Sequence, residues 1–215
     1  MSLICIFNKT REFIGKHFDF RVYWVTLLSV LVGLSIYPVV TLVSPDSKIG
    51  YENGLLENLQ MVLLFAGCLV AVRSKVDKKF FYFIAMVLGI LILREVNCGR
   101  TLFFPIPGVE NAFYSWKEIK YGWLAHPLYG LYIAWVVFYF LKNKLYMVLW
   151  RYLLNKSHPV WDFLLLYMGI GLSLYAEKAT ENFVFEEMSE LLLYVSVFGL
   201  ILLYTVVKSS ENEGG

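Results

Sequence analysis

Six runs of about twenty apolar residues dominate this chain, at 22–43, 55–72, 80–104, 123–141, 161–181 and 186–207. Each is long enough to cross a hydrocarbon core of about 30 Å as a helix. Inside a bilayer the backbone must satisfy its own hydrogen bonds, which a helix does within one segment. Composition agrees: 59% of the 215 residues are hydrophobic and 17% charged, against about 45–50% and about 25% in soluble domains. Mean hydropathy is +0.61. These values exclude a water-soluble domain, a disordered chain and a nucleic-acid binder. The expected fold is all-α: an integral membrane bundle of six transmembrane helices.

Three parts are expected: an interfacial arm over 1–21, the six-helix domain over 22–207 and a polar tail over 208–215. The arm mixes Leu3, Ile4, Phe7, Phe13, Ile14 and Phe18 with basic residues, as helices lying on a membrane surface do. The stretch Leu145 to Leu154 is apolar but too short to cross, and reads as an extension of the fourth helix or a second surface helix. No cleavable signal peptide is expected, because the first strong apolar run starts after Arg21 and exceeds an h-region in length. Cys5, Cys68 and Cys98 form no CxxC and no metal-ligand spacing, and read as small apolar fillers.

Basic residues fix the expected orientation. Thirteen lysines and arginines fall on the side that carries both termini, from Lys9 to Lys208, and four on the other, Lys48, Lys117, Lys120 and Lys178. Positive loops stay inside, so both termini are expected in the cytoplasm of a plasma (inner) membrane. The acids run the opposite way, six inside and eleven outside.

Several charges lie within the apolar runs. Counting about 1.5 Å per helical residue from the inner boundary puts Arg94 at roughly 21 Å, Glu57, His126 and Glu177 at roughly 24 Å, and Glu190 at roughly 27 Å. Five helices thus carry an ionisable group at one level, in the outer third of the core. A charge facing lipid costs several kcal/mol, so these groups are expected to turn inward and converge. Side-chain spacing agrees. Glu57 and Gln60 share a face, as do Arg94, Asn97 and Thr101. Ser173, Glu177 and Glu181 form another row, and Glu186, Glu187, Glu190 and Tyr194 a third. The inner halves show no matching polar residues on this reading.

Positive charge falls short of the acids: seven glutamates face Arg94, Arg100, Lys178 and His126. Protonated carboxyls, a water-filled vestibule or a bound cation would each close the gap. A His-rich zinc site is excluded with a single histidine on the outer side. Oxygen-rich coordination by Glu57, Glu181, Glu187 and Glu190 suits a divalent cation, Mg, Ca or Mn. Glu186-Glu187 begins like the paired-glutamate motif of intramembrane proteases, but the accompanying FxxxH and HxxxN helices are missing, as are HExxH and any P-loop.

Glu52-Asn53-Gly54 followed by Glu57, and Arg94-Glu95 followed by Gly99-Arg100, resemble a pattern of uncharacterised bacterial multi-pass membrane proteins. Those carry E-D-G-x-x-E at the entry of one span and E-E-x-x-W-G-Q-R at the exit of another. Here Asn53 replaces the Asp, Arg94 the first Glu, Cys98 the Trp and Arg100 the Gln. The resemblance covers two of the six helices. It implies a multi-pass architecture and carries no activity across.

Three functions remain open. In the first, the chain is a membrane enzyme acting on a lipid or lipid-linked substrate from the outer leaflet. Arg94 and Arg100, with Asn97, Gln60 and Tyr194, would bind the head group. Glu57, Glu95, Glu190 and His126 would be the catalytic acids and bases. In the second, it is a sensor or assembly subunit whose cluster locks the bundle. In the third, it is a transporter or channel with a cation or proton site. The expected partners are the bilayer and a lipid head group or cation, with no nucleic acid.

Overall fold

The computed structural model describes Gly15, residues 17–43, 54–109, 111–155, 157–179 and 183–207, without the side chains at 34, 36–43, 155, 179 and 207. Residues 1–14 of the expected arm, Glu181 and the tail over 208–215 lie outside the described residues. Among the described residues the fold is helical, with eight α-helices and one pair of two-residue strands. In chain order come β1 (Phe18–Asp19), α1 (Trp24–Val43), α2 (Leu55–Arg73), α3 (Lys78–Glu95), α4 (Arg100–Phe103), α5 (Ala125–Lys142), α6 (Leu145–Asn155), β2 (His158–Pro159), α7 (Val160–Ala179) and α8 (Phe183–Leu202).

Among the described residues four helical stretches are long and apolar enough to cross a membrane: Leu55–Arg73, Gly122–Lys142, Val160–Lys178 and Phe183–Val206. A fifth arises if α3 and the bent segment after it count as one span. The described apolar part of α1, Trp24–Gly33, is shorter. Apolar side chains such as Leu131, Trp123 and Tyr167 are more than 60% exposed, which in water would be a liability and in lipid is the normal outer surface. The apolar helices are those of a membrane-embedded protein.

The expected continuous span over 80–104 is corrected. α3 stops at Glu95, and the chain bends by 57° before Asn97–Phe103. Asn97, Cys98 and Gly99 have φ of 43°, 52° and 90°, in the left-handed region that α-helices of L-residues avoid. Gly99 adopts it freely, and Asn97 more readily than most side chains. A continuous Arg94–Asn97–Thr101 face is therefore lost. The sixth helix begins at Phe183, three residues before the expected Glu186, and widens to π geometry over Leu203–Val207.

α8 is the central element, packed against α1, α2 and α7. Leu191, Leu192, Tyr194 and Val195 on it are almost wholly buried. Small residues allow the close approach, as is common between membrane helices. Gly33 of α1 faces the Leu192 side chain, Gly199 faces Ser29, and Gly169 of α7 faces the backbone of Leu193. α5 packs mainly on α3, where Tyr129 and Tyr132 donate their hydroxyls to the carbonyls of Ile90 (3.4 Å) and Met86 (3.1 Å).

The basic end of the bundle carries a second polar network. β1 pairs in parallel with β2, Phe18 opposite His158. Asp19 receives Arg21 Nη2 at 3.1 Å and the Tyr23 hydroxyl at 2.6 Å. Burial alone would raise the Asp19 carboxyl, but these hydrogen bonds outweigh it and hold the group well below the usual carboxylate range. Trp161 Nε1 donates to the Phe20 carbonyl at 3.0 Å. Thr26 Oγ1 donates to the Asp162 carboxylate, 2.9–3.0 Å from its two oxygens, and Asp162 is 2% exposed. Against the expectation of cytoplasmic halves without matching polar residues, the basic end of the bundle thus holds a buried helix residue, Asp162.

Candidate functional site

The acidic end of α8 meets the ends of α2 and α3 in a buried polar cluster. α8 contributes Glu187, Glu190 and Tyr194, one helical face because of their spacing of three and four. α2 contributes Glu57 and Gln60 from its first two turns, where Glu57 also suits the positive end of the helix. α3 contributes Arg94 and Glu95 at its last two positions, where a cation complements the negative end.

Arg94 holds the cluster together. Its Nη2 donates to Glu190 Oε1, and its Nε lies 3.1 Å from Glu95 Oε1. Tyr194 donates its hydroxyl to the same Glu95 oxygen at 2.5 Å. The carboxylate side chains of Glu95 and Glu190 are 7% and 11% exposed, whereas that of Arg94 is 51% exposed. The guanidinium thus grips two buried acids through Nη2 and Nε while about half of the Arg94 side chain stays exposed.

Gln60 secures the neighbouring acid. Its amide Nε2 donates to the carbonyl of Glu187 at 2.9 Å and to the carboxylate Oε2 at 2.8 Å. Gln60 is fully buried, and its Oε1 has no hydrogen-bond partner among the described residues. Glu187 lies within electrostatic reach of Glu57, Glu95 and Glu190. Glu57 is 6% exposed. Two carboxyl groups, Glu95 and Glu190, share the Arg94 guanidinium, with Glu187 in electrostatic reach of both and of Glu57.

Of the expected site residues, Glu57, Gln60, Arg94, Glu95, Glu187, Glu190 and Tyr194 come together. Asn97 and Arg100 form a local pair beyond the helix break. With the Asn97 amide oxygen turned toward the arginine, it accepts from Arg100 Nε at 3.2 Å and Nη2 at 2.9 Å. The Arg100 guanidinium also lies 5.9 Å from the Phe113 ring centre. His126 sits apart: it is exposed, and its ring packs edge-on to Trp116 with centres 6.0 Å apart. Glu177 and Lys178 are exposed at the end of α7, and Glu181 lies outside the described residues. Among the described residues no three His, Cys, Asp or Glu side chains group in a way that could hold a metal ion; one member of the expected set of Glu57, Glu181, Glu187 and Glu190, Glu181, lies outside the described residues.

Sequence reasoning missed the network of Asp19, Tyr23, Thr26 and Asp162. One signal was available: Asp162 sits one residue inside the apolar run that opens at Trp161, and Thr26 and Ser29 lie three apart on one face of α1.

The cluster can offer a half-exposed, pre-oriented guanidinium to an anion and buried carboxylates as proton acceptors or donors beneath it. Comparison with protein-family models, with curated proteins and with solved structures finds no match for the chain.

Proposed function

We propose that this chain is a six-span protein of the plasma (inner) membrane that binds, and acts on, a lipid or lipid-linked substrate from the outer leaflet. The spans are α1, α2, the bent α3–α4 pair, α5, α7 and α8, with both termini cytoplasmic and the Glu/Arg cluster on the far side. Reporter fusions check this layout: those at Asp46, Trp116 and Ala179 are expected to report outside, and those at Lys75 and Asn155 inside. An inside signal at Trp116 would overturn it.

The observation that carries the functional reading is Arg94, pinned from below by Glu95 and Glu190 while half of its side chain stays exposed. An arginine needed only for neutrality gains nothing from that exposure. A planar fork held at a helix break, with Arg100 a few residues on, suits a phosphate or carboxylate head group. Glu190 and Glu95, already in contact with the guanidinium, are the proton-transfer groups of this reading, and Tyr194 orients Glu95. Gln60 holds Glu187 in place.

Arg94→Lys tests it. Lysine keeps the charge but cannot span both acids and present a second pair of donors outward. Cells lacking the protein are complemented with either form, and their membrane lipids are profiled by mass spectrometry. A lipid species that builds up without the protein should be cleared by wild type and not by Arg94→Lys, at equal protein level. A profile indifferent to the protein removes the enzyme reading.

A transport reading is favoured by one observation, the buried Thr26–Asp162 contact in the inner half, because a conducted cation or proton needs polar groups on both sides of the midplane. Proton flux into proteoliposomes, abolished by Asp162→Asn, would support it over the enzyme.

A further inference from the structure

Beneath α6, on the basic end of the bundle and away from the polar cluster, two apolar cavities of about 380 and 310 Å³ lie side by side. The first is walled by Phe18, Val160, Leu164 and Tyr167. The second runs inward between α3, α6, α7 and α8, past Ile84, Leu149, Leu166, Val197 and Tyr204. Leu153, His158 and Phe163 line both, so the two adjoin at those three side chains and are treated together as one branched slot. α6 itself is eleven residues long, too short to cross the membrane, and leaves Met147 and Trp150 about 60% exposed.

On the α7 side the slot borders two acids already engaged, Asp19 by Arg21 and Tyr23, and Asp162 by Thr26, whereas the segments flanking its α3 and α6 side are strongly basic. Segments 73–79 and 142–155 contain Arg73, Lys75, Lys78, Lys79, Lys142, Lys144 and Arg151, and Asp77 is their single acid. Asp77 already accepts from Arg151 Nη2 at 2.7 Å and from the Tyr152 hydroxyl at 3.0 Å. Lys75, Lys78, Lys79 and Lys144 are exposed. A branched apolar slot under an interfacial helix matches two fatty chains, and a lysine-rich rim matches a negative head group at the membrane surface.

We infer that this slot is a binding site for one anionic diacyl phospholipid of the cytoplasmic leaflet. One chain occupies each cavity, the chains part at Leu153, His158 and Phe163, and the phosphate sits against the lysines of the α2–α3 turn and the start of α6. The site is independent of the outer cluster. It would anchor α6 on the bundle, because the lipid touches α3, α6, α7 and α8 at once.

The test uses the purified full-length protein, delipidated in detergent and examined by native mass spectrometry with phosphatidylglycerol or phosphatidylcholine added. One phosphatidylglycerol should be retained, with a preference over phosphatidylcholine of more than about tenfold, as two or more lysines near an anionic group supply. Leu153→Trp fills the junction and should release both lipids. Lys78→Gln, Lys79→Gln and Lys144→Gln together should erase the preference and leave phosphatidylcholine retention unchanged. If Leu153→Trp lowers thermal stability, Leu166→Phe narrows the inner cavity from the opposite wall and replaces it. Equal retention of the two lipids, or full retention by a stably folded filled-slot variant, overturns the inference.

Discussion

Arg94→Leu should destabilise the protein by about 2 kcal/mol. Removing one partner of a fully buried ion pair costs about 3–5 kcal/mol, because the other charge is left in low dielectric. Here the carboxylate side chains of Glu95 and Glu190 are buried, but the Arg94 side chain is half exposed, so the smaller figure applies. Unfolding in detergent with a chemical denaturant measures it. The double variant Arg94→Leu with Glu190→Leu should recover part of the loss, since replacing both members of a buried pair by apolar groups is often neutral. Glu95 still loses its contact, so recovery should be incomplete. A leucine variant as stable as wild type would mean that Arg94 does not neutralise these acids. The lipid-profile test of Arg94→Lys reads a separate property, the fork itself, so the two results can differ.

Gly169→Val is expected to cost more than about 2 kcal/mol, through backbone collision. A Cβ at Gly169 would stand 2.7 Å from the Cα and 2.8 Å from the N of Leu193. Backbone cannot rotate away, so α7 must retreat from α8, and overpacking of this kind costs typically about 1–3 kcal/mol even where side chains can yield. Gly33→Ala is the contrast. Its Cβ would meet Leu192 Cδ1 at 2.4 Å, the far end of a side chain that can turn. A thermal-midpoint scan in one detergent should place Gly169→Val well below Gly33→Ala. Equal midpoints would show that the two helices are not pressed together at Gly169.

Much of the cluster could be read from residue counts along each apolar run. Depth follows from the constant rise of a helix, so Glu57, Arg94 and Glu190 could be placed at one level without knowing which helices touch. The cost of a charge in lipid then required the buried faces that Glu57, Gln60, Glu190 and Tyr194 show. Level does not fix azimuth, and His126 illustrates this. α5 packs mainly on α3, so a residue at the right height can still look outward, toward Trp116. The helix break was hidden for a different reason. Asn97, Cys98 and Gly99 sit in a short polar stretch, Arg94 to Thr101, between two apolar ones, and averaging over a span-length window smooths it away; only Gly99 hinted at a left-handed position. Asp162 falls one residue inside the run that opens at Trp161, and in the sequence counts only among the acids of the cytoplasmic side. Its burial depends on Thr26, more than a hundred residues earlier, a pairing that no local pattern reveals.

The break after Glu95 also bears on the shape of the bilayer itself. α3 has 18 residues, about 27 Å at 1.5 Å per residue, a little short of a hydrocarbon core about 30 Å thick. Tilting only shortens the height a rod spans, so neither α3 nor α5, also 18 residues long, can correct that shortfall by tilting. The lipid beside α3 and α5 should instead be drawn down, leaving a local dimple through which head groups and water descend to the guanidinium. The membrane would come to Arg94, rather than Arg94 reaching for the membrane surface.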